Sequence, residues 1–285
     1  MSLTRPALWI FVAALATACT EYDVTSVVAP ADGAIDEGED AGPIGEAGEN
    51  PVAVCGVNPE SVAPPMEEAT FQGSDSYDPV GRALVNYEWT LVAQPNGSAA
   101  SFDPSDNPNR KLTADLAGTY RAQLIVVTED GRRSEPCETV LSAIPQENLV
   151  IEMYWQYAGD DMDLHLLAPG GAMWSNKDCH WMNCDFGGSL DWGTQGNRAD
   201  DPALDLDDIA GVGPENVNIQ MPAAGQYTVV VDDYPGSVFN GANNVTVNIY
   251  VDGDLKWTGT KSVAGEDNDA YFAKVTWPGG IVTPM

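Results

Sequence analysis

Two groups of aspartate are the first places in this sequence where chemistry could happen. Asp160, Asp161 and Asp163 open a strand-prone run, and Asp205, Asp207 and Asp208 fall in a long acidic stretch further on. Hard cations such as calcium take six to eight oxygen ligands, mixing carboxylates with carbonyls and water. A D-x-D pair at the mouth of a strand and a D-x-D-D block on a loop can supply them, which makes Asp161, Asp163, Asp205, Asp207 and Asp208 candidate ligands and calcium a candidate cofactor. Residues 149–278 hold 17 Asp and 3 Glu against 5 bases, so a bound cation would also relieve self-repulsion. The competing reading stays open: a solvated acidic surface, with Asp chosen because it favours turns. The pattern is not an EF-hand, whose glycine and terminal glutamate are missing at the required offsets.

A second cluster is Cys179-His180-Trp181-Met182-Asn183-Cys184. Zinc wants four ligands and the usual CxxC pair is absent, so a Cys179–Cys184 disulfide closing a small loop is the expected arrangement. Around it stand Trp174, His180, Trp181 and Trp192 with Asn176 and Asn183. Exposed Trp beside amides can stack and hydrogen-bond sugar rings, which makes the four aromatic residues candidate ligand contacts; alternatively they plug the end of a domain. For catalysis the case is thin. The serines lack a G-x-S-x-G elbow, no H-E-x-x-H occurs, and no Gly-rich phosphate loop joins a strand to a helix. A carboxylate pair could run a glycosidase, but with 43 acids present a pair carries little weight. The expectation is a protein that is not an enzyme and binds no nucleotide.

With 43 acids against 12 Lys and Arg, the chain carries a net charge of −31. That argues against a nucleic-acid partner, which requires clustered bases. Met1–Arg5 is weakly basic, residues 6–15 are apolar, and Ala16-Thr17-Ala18-Cys19 follows, as in a secretory signal over 1–18. Leu15-Ala16-Thr17-Ala18-Cys19 resembles the bacterial lipobox, which implies cleavage before Cys19, lipidation of its sulfur, and membrane attachment. Lipidation of Cys19 would leave four cysteines, an even number in an oxidising compartment. Residues 20–50 contain nine acids, five glycines and no Lys or Arg, so 19–51 is expected to be an extended acidic tether.

From residue 52 onward, short strand-like runs alternate with turn signals and no long 3.6-residue period survives. The fold class is therefore all-β, with two consecutive β-sandwich domains expected at 52–146 and 147–285. Candidate strands of the first are 83–93, 120–127 and 139–143. Gly73-Ser74-Asp75-Ser76-Tyr77-Asp78-Pro79, Tyr87-Glu88-Trp89 and Gly118-Thr119-Tyr120 resemble, in order, three motifs of polycystic-kidney-disease-type (PKD) repeats. The resemblance implies an Ig-like sandwich with Trp89 in its core. Val80-Gly81-Arg82 stands where many repeats carry another acid, which weakens a calcium role there. Cys55 and Cys137 bracket this domain and are expected to bond to one another, since no His stands near either.

The second domain is expected to be a jelly-roll-like sandwich with strands at 149–157, 163–167, 217–219, 226–231, 245–251, 255–259 and 270–277, and a hairpin turn at Asp252-Gly253. Asp161-Met162-Asp163-Leu164-His165-Leu166, Pro169-Gly170-Gly171, the 204–208 block, Gly213-Pro214-Glu215-Asn216 and Gly225-Gln226-Tyr227 resemble a bacterial surface β-sandwich family of largely uncharacterised function. The whole looks like surface lipoproteins of myxobacterial-like organisms. The expectation is a lipid-anchored binding or adhesion protein of the outer membrane or cell surface. A PKD-like spacer would display a recognition domain for a glycan or surface protein. The rival readings are an accessory or catalytic part of an extracellular hydrolase, and a purely structural envelope lipoprotein.

Overall fold

The computed structural model describes residues 48–185 and 188–285. The signal at 1–18, Cys19 and nearly all of the 19–51 tether lie outside the described residues. The described chain belongs to one compact unit containing two large hydrophobic cores, and it is almost entirely β. Among the described residues no helix is long and apolar enough to cross a membrane.

The first core lies between two sheets. One has the order β1-β3-β5, from Gly56–Asn58, Glu68–Gln72 and Arg110–Thr113. The other has the order β2-β7-β6-β4, from Ser61–Val62, Cys137–Ala143, Gly118–Thr128 and Leu84–Ala93. Strand β6 shows why the sequence folds this way: Tyr120, Ala122, Leu124 and Val126 alternate inward, with Arg121, Gln123 and Ile125 between them. The Tyr120 hydroxyl accepts the Leu116 N–H at 3.0 Å and donates to the Asp115 carboxylate at 2.8 Å. Trp89 packs edge-on to Phe71 at 5.8 Å and donates its indole N–H to the Pro108 carbonyl at 2.8 Å, as a core anchor must when its polar atom is buried. Gly73, the first residue of the turn motif, faces that same carbonyl. A Cβ there would stand 2.7 Å from it, so only glycine fits. Cys55 and Cys137 are bonded, tying the chain ahead of β1 to the start of β7.

The second core is enclosed by two five-stranded antiparallel sheets. One runs β10-β9-β13-β16-β17, from Asp178–Cys179, Met162–Leu167, Gly225–Asp233, Asn268–Trp277 and Ile281–Pro284. The other runs β11-β12-β8-β14-β15, from Ala203–Leu206, Glu215–Ile219, Leu149–Trp155, Asn243–Val251 and Asp254–Val263. Alternation sends Leu149, Ile151, Met153 and Trp155 of β8 inward to meet Met162, Leu164 and Leu166 of β9. Asp252 and Gly253 both take positive φ, the requirement of the tight turn joining β14 to β15. The long acidic stretch carrying Asp205, Asp207 and Asp208, expected as a loop, contains β11 and a short 3₁₀ turn at Arg198–Asp200.

The two sandwiches touch where β8 turns its outer face to the first. Ala117, Val150 and Tyr250 form a small apolar cluster, and the Ala117 N–H donates to the fully buried carboxylate of Glu152 at 2.6 Å.

Candidate functional site

Strand β9 pairs with β13 along its length but with β10 only at Leu166 and Leu167. Its edge at Asp163 and Leu164 is therefore left without a partner strand. Glu215 fills that gap from the opposite sheet. It shares the core phase of β12 with Val217 and Ile219, and its carboxylate accepts the Leu164 N–H at 2.8 Å. Asp163 projects from the outer face of β9, and Asp207 follows β11. Carboxylate oxygens of Asp163, Asp207 and Glu215 all lie within 4.8 Å of one another. Asp163 and Glu215 are buried, at 3% and 1% exposure, yet Asp163 Oδ2 and Glu215 Oε1 have no hydrogen-bond partner. The half-buried Asp161 adds a third unpartnered oxygen, Oδ1.

These groups border a cavity of about 190 Å³ lined by Asp161, Asp163, Trp181, Asp207, Ile209 and Tyr234. Trp181 and Tyr234 meet edge to face at 5.8 Å, and the Trp181 indole N–H is buried without an acceptor. The electrostatics follow from burial. Desolvation, then the charges of Asp161, Asp207 and Asp232, push Asp163 up to about 8. Desolvation and then Asp207 push Asp161 up to about 6. Glu215 is raised well above the carboxylate range by desolvation, then by Asp163.

No basic side chain relieves this crowding. In the first sandwich, the acids Asp78, Asp103, Asp130, Glu68 and Glu88 all pair with Arg or Lys. In the second, the ion pairs among the described residues are Lys256–Asp254 and His165–Asp178, and neither involves the cavity acids. Three buried or half-buried carboxylates with free oxygens and no counter-charge form a place where a hard cation or protons must supply the missing positive charge.

The structure gathers some of the residues expected from the sequence and separates others. Asp161, Asp163 and Asp207 converge. Asp205 and Asp208 do not: Asp205, at the bulge where β11 shifts register against β12, meets Asn218 at 2.5 Å, and Asp208 is spent on its own loop. There it accepts the N–H groups of Ala210, Gly211 and Gly213. Trp181 borders the cavity. Trp192 instead plugs the core, donating its indole N–H to the Asn176 carbonyl. Trp174 is exposed on the loop before β10, held in a left-handed backbone conformation by the Asp178 carboxylate, which accepts its N–H at 2.7 Å. His180 is buried and stacks on His165, centroids 5.1 Å apart with the rings within 15° of parallel. The lone pairs of parallel rings do not converge, so this pair is poorly shaped for chelation. Cys179 and Cys184 are bonded across the four-residue helix Trp181–Cys184, and this closed loop carries His180 and Trp181 to the cavity.

Glu215 was not singled out from the sequence as a ligand. Its signal was there: an acid in core phase with Val217 and Ile219 is costly unless something binds it. In the first sandwich, Asp78 accepts the Arg82 guanidinium at 2.7 Å, so the arginine already supplies the charge a cation would bring.

Residues 58–141 match the family described as "K319L-like, PKD domain", so the first sandwich is PKD-like and the motifs of the turn, β4 and β6 belong to it. The chain is also similar to the solution structure of the PKD domain from KIAA 1837 protein. That match has 21% identity and a TM-score of 0.28, covering 35% of this chain and 91% of that one. No curated protein matches.

Proposed function

We propose that this is an extracytoplasmic binding or adhesion protein, lipid-anchored at Cys19, whose PKD-like sandwich carries a cation-dependent recognition domain. The observation that carries the reading is the trio Asp163, Asp207 and Glu215, in which the buried Asp163 and Glu215 keep unpartnered oxygens beside a cavity edged by Trp181 and Tyr234. Calcium is the fitting ion, because every donor is an oxygen and carboxylates with water reach its preferred coordination. The aromatic edge beside the ion suits a glycan, whose hydroxyls would complete the coordination while a ring face stacks on Trp181. Two disulfides favour an oxidising compartment, in keeping with export and an outer-membrane or cell-surface location.

Calcium should raise the melting temperature of the full chain and EDTA should reverse the rise, since a ligand that binds only the folded state stabilises it. Glu215→Gln should abolish the effect. A glycan array in calcium, with Trp181→Ala as control, then tests the recognition surface. Turnover of polysaccharide lost in Asp163→Asn would instead establish a hydrolase.

A further inference from the structure

The cavity beside the acids continues into a second hollow. This one, of about 290 Å³, shares Asp161, Ile209 and Tyr234 with the first and extends past Gly159 and Ala210 to residues 235–238. Three loops build it: residues 156–161 between β8 and β9, 207–214 between β11 and β12, and 234–242 between β13 and β14. They are stitched together through their backbones. The Tyr234 N–H donates to the Asp161 carbonyl at 2.9 Å, the Phe239 N–H to the Gly159 carbonyl at 2.7 Å, and the Gly159 N–H to the Ala210 carbonyl at 2.9 Å. Ser237 Oγ accepts the Asp161 N–H at 3.0 Å, Glu266 accepts the Gly236 N–H, and the Phe239 ring packs on Tyr157 at 5.1 Å. The hollow is therefore preformed, as ligand sites usually are.

Its walls differ in kind from those of the ion cavity. Val238 is 96% exposed and Ile209 66%, and with Ala210 and Pro235 they make an apolar rim. The polar groups around that rim are spent on the scaffold. Single exposed apolar residues are ordinary, but several held on fixed loops around one hollow mark a contact surface. A peptide seated there would leave its own N–H and C=O groups short of partners, whereas a hydrocarbon substituent needs none. Because the two hollows share Asp161, one ligand can span both. Building on the calcium-dependent glycan reading, on which this rests, we infer that the ligand is a 6-deoxy sugar, its methyl group seated between Ile209 and Val238 and its hydroxyls on the ion. An ordinary hexose would place a hydroxyl where no partner awaits it.

Isothermal titration of the full, oxidised chain in calcium compares L-fucose with L-galactose and L-rhamnose with L-mannose, pairs that differ by one hydroxyl at the methyl position. The 6-deoxy member of at least one pair should bind about tenfold more tightly, the value of one methyl-sized group in an apolar pocket. The preference should vanish in the Ile209→Ser, Val238→Ser double variant, whose exposed positions leave the fold intact by circular dichroism. Equal binding within each pair, or a preference that survives the double variant, overturns the inference and leaves the glycan reading standing. No binding of either pair also overturns it, and a different glycan bound on the array in calcium would show that the broader reading survives. An apolar peptide bound in place of any sugar overturns both, while the calcium-dependent rise in melting temperature reports the ion site on its own.

Discussion

Glu152 allows the contact between the sandwiches to be measured. Its carboxylate is fully buried and accepts the Ala117 N–H, with Tyr250 and Asn248 beside it. Desolvation outweighs that hydrogen bond and pushes Glu152 from 4.5 up to about 7. An acid whose folded pKa is raised holds its proton more tightly when folded. The associated stability is complete below the unfolded pKa and is lost as pH rises through about 7. The shift corresponds to about 3 kcal/mol, at roughly 1.4 kcal/mol per unit. Gln at this position keeps an acceptor for Ala117 and cannot ionise. The stability of Glu152→Gln minus that of wild type should therefore climb by about 3 kcal/mol between about pH 4.5 and pH 8. Equilibrium urea unfolding in EDTA measures it, and taking differences removes the acids of the cavity, which titrate in both proteins. A difference that stays flat to within about 0.5 kcal/mol, comparable to the error of such comparisons, would refute the assignment of a buried, ionisable Glu152.

Other outcomes follow from the same geometry. Replacing Cys55 and Cys137 together by Ser should cost about 4–5 kcal/mol in denaturant unfolding, the loop-entropy value for a closure of 82 residues. Without calcium, the melting temperature of Glu215→Gln should rise relative to wild type as pH increases, because Gln cannot ionise where burial opposes the charge. Asp205→Asn should leave the calcium response intact, since its carboxylate faces Asn218 rather than the cavity. Asp208→Ala should weaken calcium binding several-fold by freeing three N–H groups of the loop after Asp207, read by isothermal titration.

Much of the architecture was written in local pattern. The alternation of β6, the turn at Asp252-Gly253 and the motif carrying Trp89 each state their own conformation, because side-chain period and φ preference act within a few residues. The disulfide pairs were also legible, from count and spacing. Strand β11 was not: Ala203–Leu206 is too short and too acidic to show an apolar period, and it forms because β12 offers an edge. The site was half visible. Asp161, Asp163 and Asp207 announce themselves by density, but Asp205 and Asp208 announce themselves equally and are turned elsewhere by a bulge in β11 and by loop closure. Which of two neighbouring acids faces a cavity depends on register against a distant strand, and no local spacing encodes that. His165 shows the same limit. Its phase put it on the outer, polar face of β9, yet the loop carrying Trp174 and His180 folds over that face and buries it.

The contrast between the sandwiches argues for cations over protons as the partner of the cavity acids. Protons alone could neutralise Asp163 and Glu215, but a proton is shared between two oxygens at most, and three carboxylates converge here. A cation needs no acceptor and draws several oxygens toward a single centre, as the mutual 4.8 Å limit on Asp163, Asp207 and Glu215 allows. Where this chain needs to neutralise an acid by side chain it does so, with Arg82, Arg110, Arg132 and Arg133 in the first sandwich. In the second it places five bases among twenty acids and spends none on the cavity. On the proposed reading, a fold that leaves its most buried acids without arginine, beside an open cavity, takes its positive charge from outside.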